Sequence, residues 1–363
     1  MPPRLLYQRL CQQVLACAPQ LGVWPRQRLA LLVTGLLLAQ HTALPRLAAK
    51  LRQVTPTAYA DSIERRLRRT LASPLCTTVV FEQVVRASLR TLPPGRCLLL
   101  LDDTQQTTRC TLSMLALAYA GRALPVAWCR WAGPLHGAYW TQIDQLFAAA
   151  ERLLPAHVQP VVVADRGIAS PMLIRLIQQH GWDYLVRVTA DTTLRLPEHP
   201  EEVVHLGELL EQPSGLVVRL TGWVFQQRRQ IWAHAVAAWR PGHQEPWLLV
   251  SNLDLLGREL AHLYARRMQV EALFRDAKSG GFEWELSRVL HAERAERLLL
   301  GLMLAVWCAV LLGEAALRAG EIPAYGRRQH AVSLIRRGMD WLYAPSRAKF
   351  FRWTLAPPKT VRI

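Results

Sequence analysis

The sequence is poor in lysine, in paired cysteines and in apolar runs of membrane-spanning length. Its seven cysteines include no CxxC pair, which argues against a zinc site and a disulfide framework and suits a reducing cytoplasm. Arg4 and Arg9 interrupt the early apolar positions, so we expect no secretory leader. The apolar segments 29–39 and 298–313 are shorter than the roughly 20 residues that a span needs. We therefore expect a cytoplasmic protein without a membrane partner.

Acidic residues are also scarce, and the charge balance is strongly basic. The 44 Lys and Arg residues exceed the 27 Asp and Glu residues, which gives a net charge of +17 and a pI of about 10.4. A surplus of this size favours a polyanionic partner, because each neutralised phosphate releases counterions. Only four of the 44 basic residues are lysine. Codon bias in a GC-rich genome explains that preference equally well, so arginine abundance alone identifies no phosphate site.

The N-terminal 95 residues have a helical pattern interrupted by prolines, and they predict a helical domain with a possible DNA-binding role. Segment 62–72 carries four arginines on one turn-and-a-half of predicted helix. This segment is either a DNA-contacting helix or an ordinary solvated basic face, and the pattern does not separate the two. The segment after residue 320 is short and basic, and we treat 321–363 as a separate C-terminal region.

The middle of the chain predicts a mixed α/β core. Short apolar runs at 97–101, 112–119 and 123–131 predict three strands in a meander, followed by a helix from 138 to 154. A continuous apolar run at 161–164 predicts a strand that is buried on both faces, and a helix at 171–180 and a strand at 184–188 follow. Three meander strands followed by alternating units is the order of an RNase H-like fold. Segment 189–253 is strand-like, with runs at 216–220, 223–226, 230–238 and 247–251, and helical periodicity then runs from 257 to about 317.

Two aspartates follow buried strands at positions where chemistry is often found. Asp102 and Asp165 each come directly after an apolar run, and sites in open α/β sheets assemble at that edge. A single strand-end aspartate is more often a turn former. Asp103 is an alternative to Asp102, because adjacent strand residues face opposite ways. The Asp-x-Thr spacing favours Asp102.

A third carboxylate lies in the segment YARRMQVEALFRDAK at 264–278. On one continuous helix, Tyr264, Arg267, Glu271 and Lys278 would fall within an arc of about 60°, and Arg275 would join them. One carboxylate among cations suits a metal ligand flanked by phosphate contacts. The alternative is an exposed helix with an ordinary Arg267–Glu271 pair four residues apart.

The spacing Tyr-x2-Arg-x3-Glu-x6-Lys is similar to the YREK signature of the D-D-E insertion-sequence transposases, which move by cut-and-paste. The blocks LLLLDDT and VVVADRG also resemble that family. The resemblance covers roughly residues 97–300. It implies an RNase H-like core formed by 96–188 and 254–320, with the β-rich insertion 189–253 and flanking helical regions.

By position, the resemblance implies that Asp102, Asp165 and Glu271 bind Mg²⁺, for which Mn²⁺ could substitute. It implies that Tyr264, Arg267 and Lys278 contact DNA phosphates at the transposon end, and helical spacing adds Arg275 as a further candidate. Some relatives have a tryptophan after the signature arginine, but this chain has Met268. Base stacking could then fall to Trp223 or Trp232, although a tryptophan packed in a sheet is the more common occurrence.

The function implied by the resemblance is magnesium-dependent DNA strand cleavage and strand transfer. The implied partners are double-stranded DNA with terminal inverted repeats, target DNA and a second copy of the chain. Two alternatives remain: a nuclease of the same fold that cuts without joining, and a domesticated DNA-binding protein without catalysis.

Overall fold

The computed structural model describes residues 1–74, 78–107, 110–132, 138–210, 215–226, 230–240, 242–318 and 333–343. The N-terminal region is helical, as its proline-interrupted apolar pattern predicts. Two of its helices begin with proline in the first turn, where the missing N–H is not needed. The apolar faces of the helices pack on one another and contribute to the main core. The five helices are α1 (Pro3–Cys17), α2 (Val23–Ala39), α3 (Leu44–Leu51), α4 (Ala60–Ala72) and α5 (Thr78–Leu89).

The centre of the molecule is one large sheet, whose first five strands in the sequence lie in the order β3-β2-β1-β4-β5. Strands β1 to β3 form an antiparallel meander, and β4 and β5 pair in parallel with β1 and with each other. The β2–β3 hairpin turns at Ala120 and Gly121, which both have positive φ as a tight hairpin requires. This is the predicted RNase H-like arrangement. Its elements are β1 (Gly95–Thr107), β2 (Cys110–Tyr119), β3 (Arg122–Ala132), α6 (Tyr139–Leu153), β4 (Val158–Ala164), α7 (Pro171–Gln179) and β5 (Asp183–Arg187).

The region after β5 extends the same sheet instead of forming a separate one. Strand β10 pairs antiparallel with β5, so the ten strands run in the order β3-β2-β1-β4-β5-β10-β9-β8-β6-β7. The predicted runs at 216–220 and 223–226 prove to be one strand, because Gly222 lets the strand continue past a close approach to the Arg195 carbonyl. The five strands are β6 (Thr193–Leu196), β7 (His199–His205), β8 (Val217–Val224), β9 (Ile231–Ala238) and β10 (Trp247–Ser251).

Helices cover both faces of the sheet. Asp102 and Asp103 are adjacent in β1, so their side chains point to opposite faces. Asp102 contacts Arg267, at the start of a C-terminal helix, whereas Asp103 accepts a hydrogen bond from Tyr139 of α6. The ring of His180, which caps α7, is hydrogen-bonded to α6. Helices α6 and α7 therefore lie on the face opposite Asp102.

The segment from 257 to about 317 is helical, as its periodicity predicts, but it is divided into separate helices. The segment forms α8 (Gly257–Ala265), α9 (Met268–Ala277), a 3₁₀ turn at Trp284–Leu286 and α10 (Ala292–Arg318). Gly280 and Gly281 end α9, because the chain folds back so closely that a Cβ at Gly281 would lie 2.6 Å from the Asp276 carbonyl oxygen. A further helix, α11 (Leu334–Tyr343), lies within the region predicted only as basic, and residues 321–332 and 344–363 are outside the described residues.

Helix α10 is a buried core helix. Among the described helices that are not bent, α10 alone is long and apolar enough to cross a membrane. However, 89% of its most apolar stretch is buried inside the protein. The Trp307 indole N–H donates to the Pro125 carbonyl of β3 at 2.7 Å, and the Trp128 indole donates to Glu296 at 2.6 Å. Helix α11 packs directly on α10, where a Cβ on Gly338 would lie 2.1 Å from a carbonyl oxygen. These contacts hold α10 against the sheet.

Candidate active site

Three acidic residues from separate elements meet around one arginine; we call Asp102, Asp165 and Glu271 the acidic cluster. The Arg267 guanidinium lies 3.1 Å from Asp102 and 3.4 Å from Asp165, and it donates a short hydrogen bond to Glu271. The fold thus brings Arg267 into contact with two aspartates that lie 165 and 102 residues earlier in the sequence. The Arg267 side chain is only 10% exposed.

Asp102 is the first residue of β1 beyond the pairing of β1 with β4. The parallel pairing of β1 with β4 ends at Leu101 and Ala164, while the pairing of β1 with β2 continues beyond it. The prediction that the strand ends at Asp102 is therefore wrong, because β2 supports β1 as far as Thr107. Burial raises the pKa of Asp102 to about 6, although the charge of Arg267 opposes the shift.

Asp165 follows β4 directly and has more hydrogen-bond donors around it. The Tyr264 hydroxyl donates to its Oδ1 at 2.8 Å, and the Arg187 guanidinium lies 3.9 Å away. Burial alone would raise the pKa of Asp165, but Arg267, a backbone N–H and Tyr264 together lower it below the usual value. Asp165 is thus held as a carboxylate at neutral pH.

Asp103, the alternative to Asp102, faces away from the cluster. Its Oδ2 accepts a hydrogen bond from the Tyr139 hydroxyl at 3.0 Å on the α6 face. Burial raises the pKa of Asp103, and hydrogen bonds from Ser113 and Tyr139 partly offset that effect. The geometry therefore brings Asp102, and not Asp103, to Asp165 and Glu271.

The signature segment reaches the cluster across a break between two helices. The N–H of Arg267 bonds to the carbonyl of Tyr264, and that of Val270 to the carbonyl of Arg267, so the junction turns by three-residue steps. The helix expected to be continuous across 264–278 is therefore interrupted. Tyr264 and Arg267 still face the acidic cluster, through their hydrogen bonds to Asp165 and Asp102.

The remaining predicted contact residues have different surroundings. The Lys278 ammonium donates to the Gln105 carbonyl near the end of β1 and lies 3.7 Å from Glu285. Arg275 is exposed and makes no described contact with the acidic cluster. Lys278 is therefore near the cluster, whereas Arg275 faces solvent.

Trp223 and Trp232 form an exposed pair on the insertion. They are direct cross-strand partners in β8 and β9, their ring centroids are 5.2 Å apart, and 45% and 47% of their surfaces are exposed. The strand registers place Arg187 and Val236 in one row of the sheet, and Trp232 lies four residues beyond Val236. Two strand spacings and four residues correspond to roughly 15 Å. The pair thus shares the sheet face of the acidic cluster but lies towards the opposite edge.

Sequence reasoning missed Arg187 and Trp247. Arg187 ends β5, beside the strand that Asp165 follows, and its 16% exposed side chain contacts both Asp165 and Glu245. Trp247 begins β10 and meets the Tyr264 ring edge-on at 5.2 Å. Arg187 could have been found, because parallel strands end at the same edge of a sheet and Arg187 ends the strand next to the one that Asp165 follows. The antiparallel pairing of β10, which brings Trp247 there, has no local sequence signal.

The acidic cluster offers hard oxygen donors, which suit a small divalent cation. Among the residues that the structure describes, however, no three acidic, histidine or cysteine side chains are close enough to hold one ion together. Arg267 occupies the space between them and already pairs with each carboxylate. The donor set fits a divalent ion chemically, but only when the guanidinium leaves.

Residues 139–308 match a family described as Transposase DDE domain. The match includes Asp165, Glu271 and the whole 264–278 segment, and it begins after Asp102. No curated protein matches the chain. A solved structure of the piggyBac transposase synaptic complex with hairpin DNA is similar with a TM-score of 0.47 and 9% identity, over 93% of this chain and 77% of that one. A likeness of that degree carries no conclusion about this chain.

The RNase H-like fold and the family match define an enzyme that acts on DNA. Residues 139–308, a little under half of the chain, form a DDE transposase domain by this match, and the domain supports a function in DNA transposition. Enzymes of this family generally use divalent metal ions. The Tyr-Arg-Glu-Lys signature is not tested by the family match and stays a prediction.

Proposed function

We propose that this transposase cleaves DNA strands at the ends of an insertion sequence and joins them to target DNA, using Asp102, Asp165 and Glu271. The observation that carries the proposal is the convergence of three carboxylates, from β1, the end of β4 and α9, on the single Arg267 guanidinium. The proposal includes Mg²⁺ as the cofactor, with Mn²⁺ as a substitute, held by these three residues.

The side chains in and around the acidic cluster would have different roles. The acidic cluster would hold divalent ions, which supply charge stabilisation for the attacking and leaving oxygens of a phosphodiester. Arg267 is the side chain best placed to exchange carboxylates for a DNA phosphate, because a guanidinium binds both with the same paired N–H geometry. Tyr264 keeps Asp165 oriented through its 2.8 Å hydrogen bond. Lys278 would contact the backbone beside β1.

The reaction needs little covalent participation by the protein. Water aligned at the cluster would attack the phosphodiester, and the P–O3′ bond would break to leave a 3′-hydroxyl and a 5′-phosphate. The freed 3′-hydroxyl would then lose its proton and attack a target phosphodiester in line. A new P–O3′ bond would form as the target's own P–O3′ bond breaks and its 3′ oxygen takes up a proton. The protein supplies position and charge. Cutting two ends in concert implies a dimer that bridges terminal inverted repeats, and this is part of the proposal.

The test is strand cleavage and joining on a duplex carrying the inverted repeats that flank the gene, with Mg²⁺ and with Mn²⁺ in parallel. Asp102→Asn, Asp165→Asn and Glu271→Gln should each lower cleavage by at least about a thousandfold, since each removes an oxygen ligand's charge. Asp103→Asn is the matched control and should retain most activity. A Glu271→Gln protein that cuts at the wild-type rate would overturn the proposal.

The products separate the alternatives. Newly joined strands identify a transposase, whereas cut ends without joining identify a nuclease of the same fold. DNA binding without either product would identify a non-catalytic relative. Trp223 and Trp232 enter the same experiment as an alanine pair: a role in DNA contact predicts weaker binding, and unchanged binding assigns them to sheet packing alone.

A further inference from the structure

A basic cleft lies between the N-terminal helices and the loop that follows α9. Three arginines from different parts of the chain line it together with the buried His41, and no carboxylate is among the lining residues. Its volume is about 500 Å³. We call it the arginine cleft. Its lining residues that matter here are His41, Arg46, Arg68 and Arg288.

The cleft's cations are largely available for a ligand. Arg46 and Arg288 are exposed, and neither forms an ion pair with any carboxylate that the structure describes. Arg68 is paired with Glu64 on its own helix at 2.5 Å, and its side chain remains 62% exposed. Like charges that face one cleft create a positive potential there, which attracts an anion.

The loop that forms one wall of the cleft is held in a strained conformation. Glu283 and Arg288 both have φ of 53°, in the left-handed region that non-glycine residues seldom adopt. The Thr42 hydroxyl donates to the Glu283 carbonyl at 2.9 Å and ties the loop to the turn between α2 and α3. Strain of this kind persists where surrounding structure enforces it, commonly at binding sites. Arg288 lies in this loop and lines the cleft together with Arg46.

The cleft is connected to the acidic cluster by a short stretch of chain. Lys278, which contacts the end of β1, begins the loop whose far end carries Arg288. Beyond the cleft, Arg65 and Arg69 lie within about 100° of Arg68 around α4. The loop between Lys278 and Arg288 has no other cation and carries Glu283 and Glu285, so the arginines of the cleft and of α4 form a group separate from the cluster. A group that extends from the cleft along α4 suits a polymer of phosphates better than a single small anion.

We propose that the arginine cleft binds the sugar–phosphate backbone of duplex DNA at a site separate from the acidic cluster, and that Arg46 and Arg288 each neutralise a phosphate. The inference rests on the proposed function, because it places the DNA that leaves the cluster along the Lys278 loop. It also gives the solvated basic face of α4 a specific ligand.

The experiment measures binding of a fluorescein-labelled random-sequence duplex by anisotropy, in EDTA and across a range of KCl concentrations. The Arg46→Gln/Arg288→Gln double variant should reduce the steepness of log affinity against log salt by about two, or about one for each phosphate that is no longer neutralised. Affinity at low salt should fall by about tenfold or more.

Two further double variants make the test specific. Arg152→Gln/Arg175→Gln makes the same charge change on α6 and α7, on the opposite face of the sheet, and should leave the slope unchanged. Arg46→Lys/Arg288→Lys should restore the wild-type slope, because an ammonium also neutralises a phosphate.

An unchanged slope in the glutamine variant, an equal reduction in the α6–α7 variant, or no rescue by lysine would each overturn the inference. Circular dichroism spectra that match the wild type establish that the variants are folded. Because EDTA removes cleavage from the measurement, the outcome is independent of the chemistry proposed for Glu271. A Glu271→Gln protein that still cuts DNA would refute that chemistry, but it would not affect the inference that the arginine cleft binds DNA.

Discussion

Replacing Arg267 with glutamine removes the one positive charge at the centre of the acidic cluster. Asp102, Asp165 and Glu271 have side chains that are 15%, 26% and 36% exposed, so water reaches them only in part. Removing one partner from a fully buried ion pair costs about 3–5 kcal/mol. Because this cluster is partly solvated, we expect a loss of about 2 kcal/mol in the free energy of unfolding at pH 8. For a chain of this size that corresponds to a fall of roughly 2–3 °C in Tm.

The same substitution should change how the protein responds to divalent ions. In the wild-type protein the guanidinium competes with an ion for the three carboxylates, and in Arg267→Gln it does not. An ion that binds only the folded state stabilises it by about 2.7 kcal/mol at a hundredfold excess over Kd. We therefore expect Mn²⁺ to raise the Tm of Arg267→Gln by more than it raises that of the wild type.

The assay is thermal unfolding followed by circular dichroism, with and without Mn²⁺ and without DNA. Arg267→Lys is the control, since it keeps a positive charge that cannot reach all three carboxylates, and it should give intermediate values. Equal Tm values for the wild type and Arg267→Gln in EDTA, or equal responses of the two to Mn²⁺, would refute the reasoning.

Three further predictions concern stability. Burial raises the pKa of Glu296 in the folded state, so ionising this carboxyl destabilises the fold as pH rises from the unfolded pKa through the folded pKa. Glu296→Gln should therefore be more stable than the wild type at pH 8, and the difference should vanish below about pH 4.5. A series of Tm measurements against pH tests this, and a difference that stays constant with pH would contradict it. Gly338→Ala should lose about 2–3 kcal/mol in urea unfolding because its Cβ would clash with a backbone oxygen of α10, whereas Gly167→Ala, which has open space, should be near neutral. Tyr264→Phe should lose about 1 kcal/mol through its bond to Asp165, and an unchanged urea midpoint would exclude that contribution.

The RNase H-like core could be predicted because its signals are local. The runs at 97–101 and 161–164 are apolar at every position, as buried parallel strands require, and the turn at Ala120 and Gly121 punctuates the meander. Those features predicted the fold class, which is confirmed. They also placed Asp102 and Asp165 at the adjoining strands β1 and β4.

The features that could not be predicted depend on contacts between segments that are distant in the sequence. Helical periodicity continues through 264–278, so it gives no sign of the break between α8 and α9 at Arg266 and Arg267. Periodicity also cannot show that β10 pairs with β5, or that α11 docks on α10 through Gly338. The roles of the site residues remain predictions, since only cleavage and binding assays test them.

The edge-to-edge union of the insertion with the core has a consequence for unfolding. Strand β5 shares backbone hydrogen bonds with β4 on one side and β10 on the other, so removing the insertion would leave a bare row of N–H and C=O groups beside Asp165. The insertion should therefore not melt as an independent module. Mild proteolysis that nicks its loops should leave the fragments associated, and heating should release both parts in a single transition.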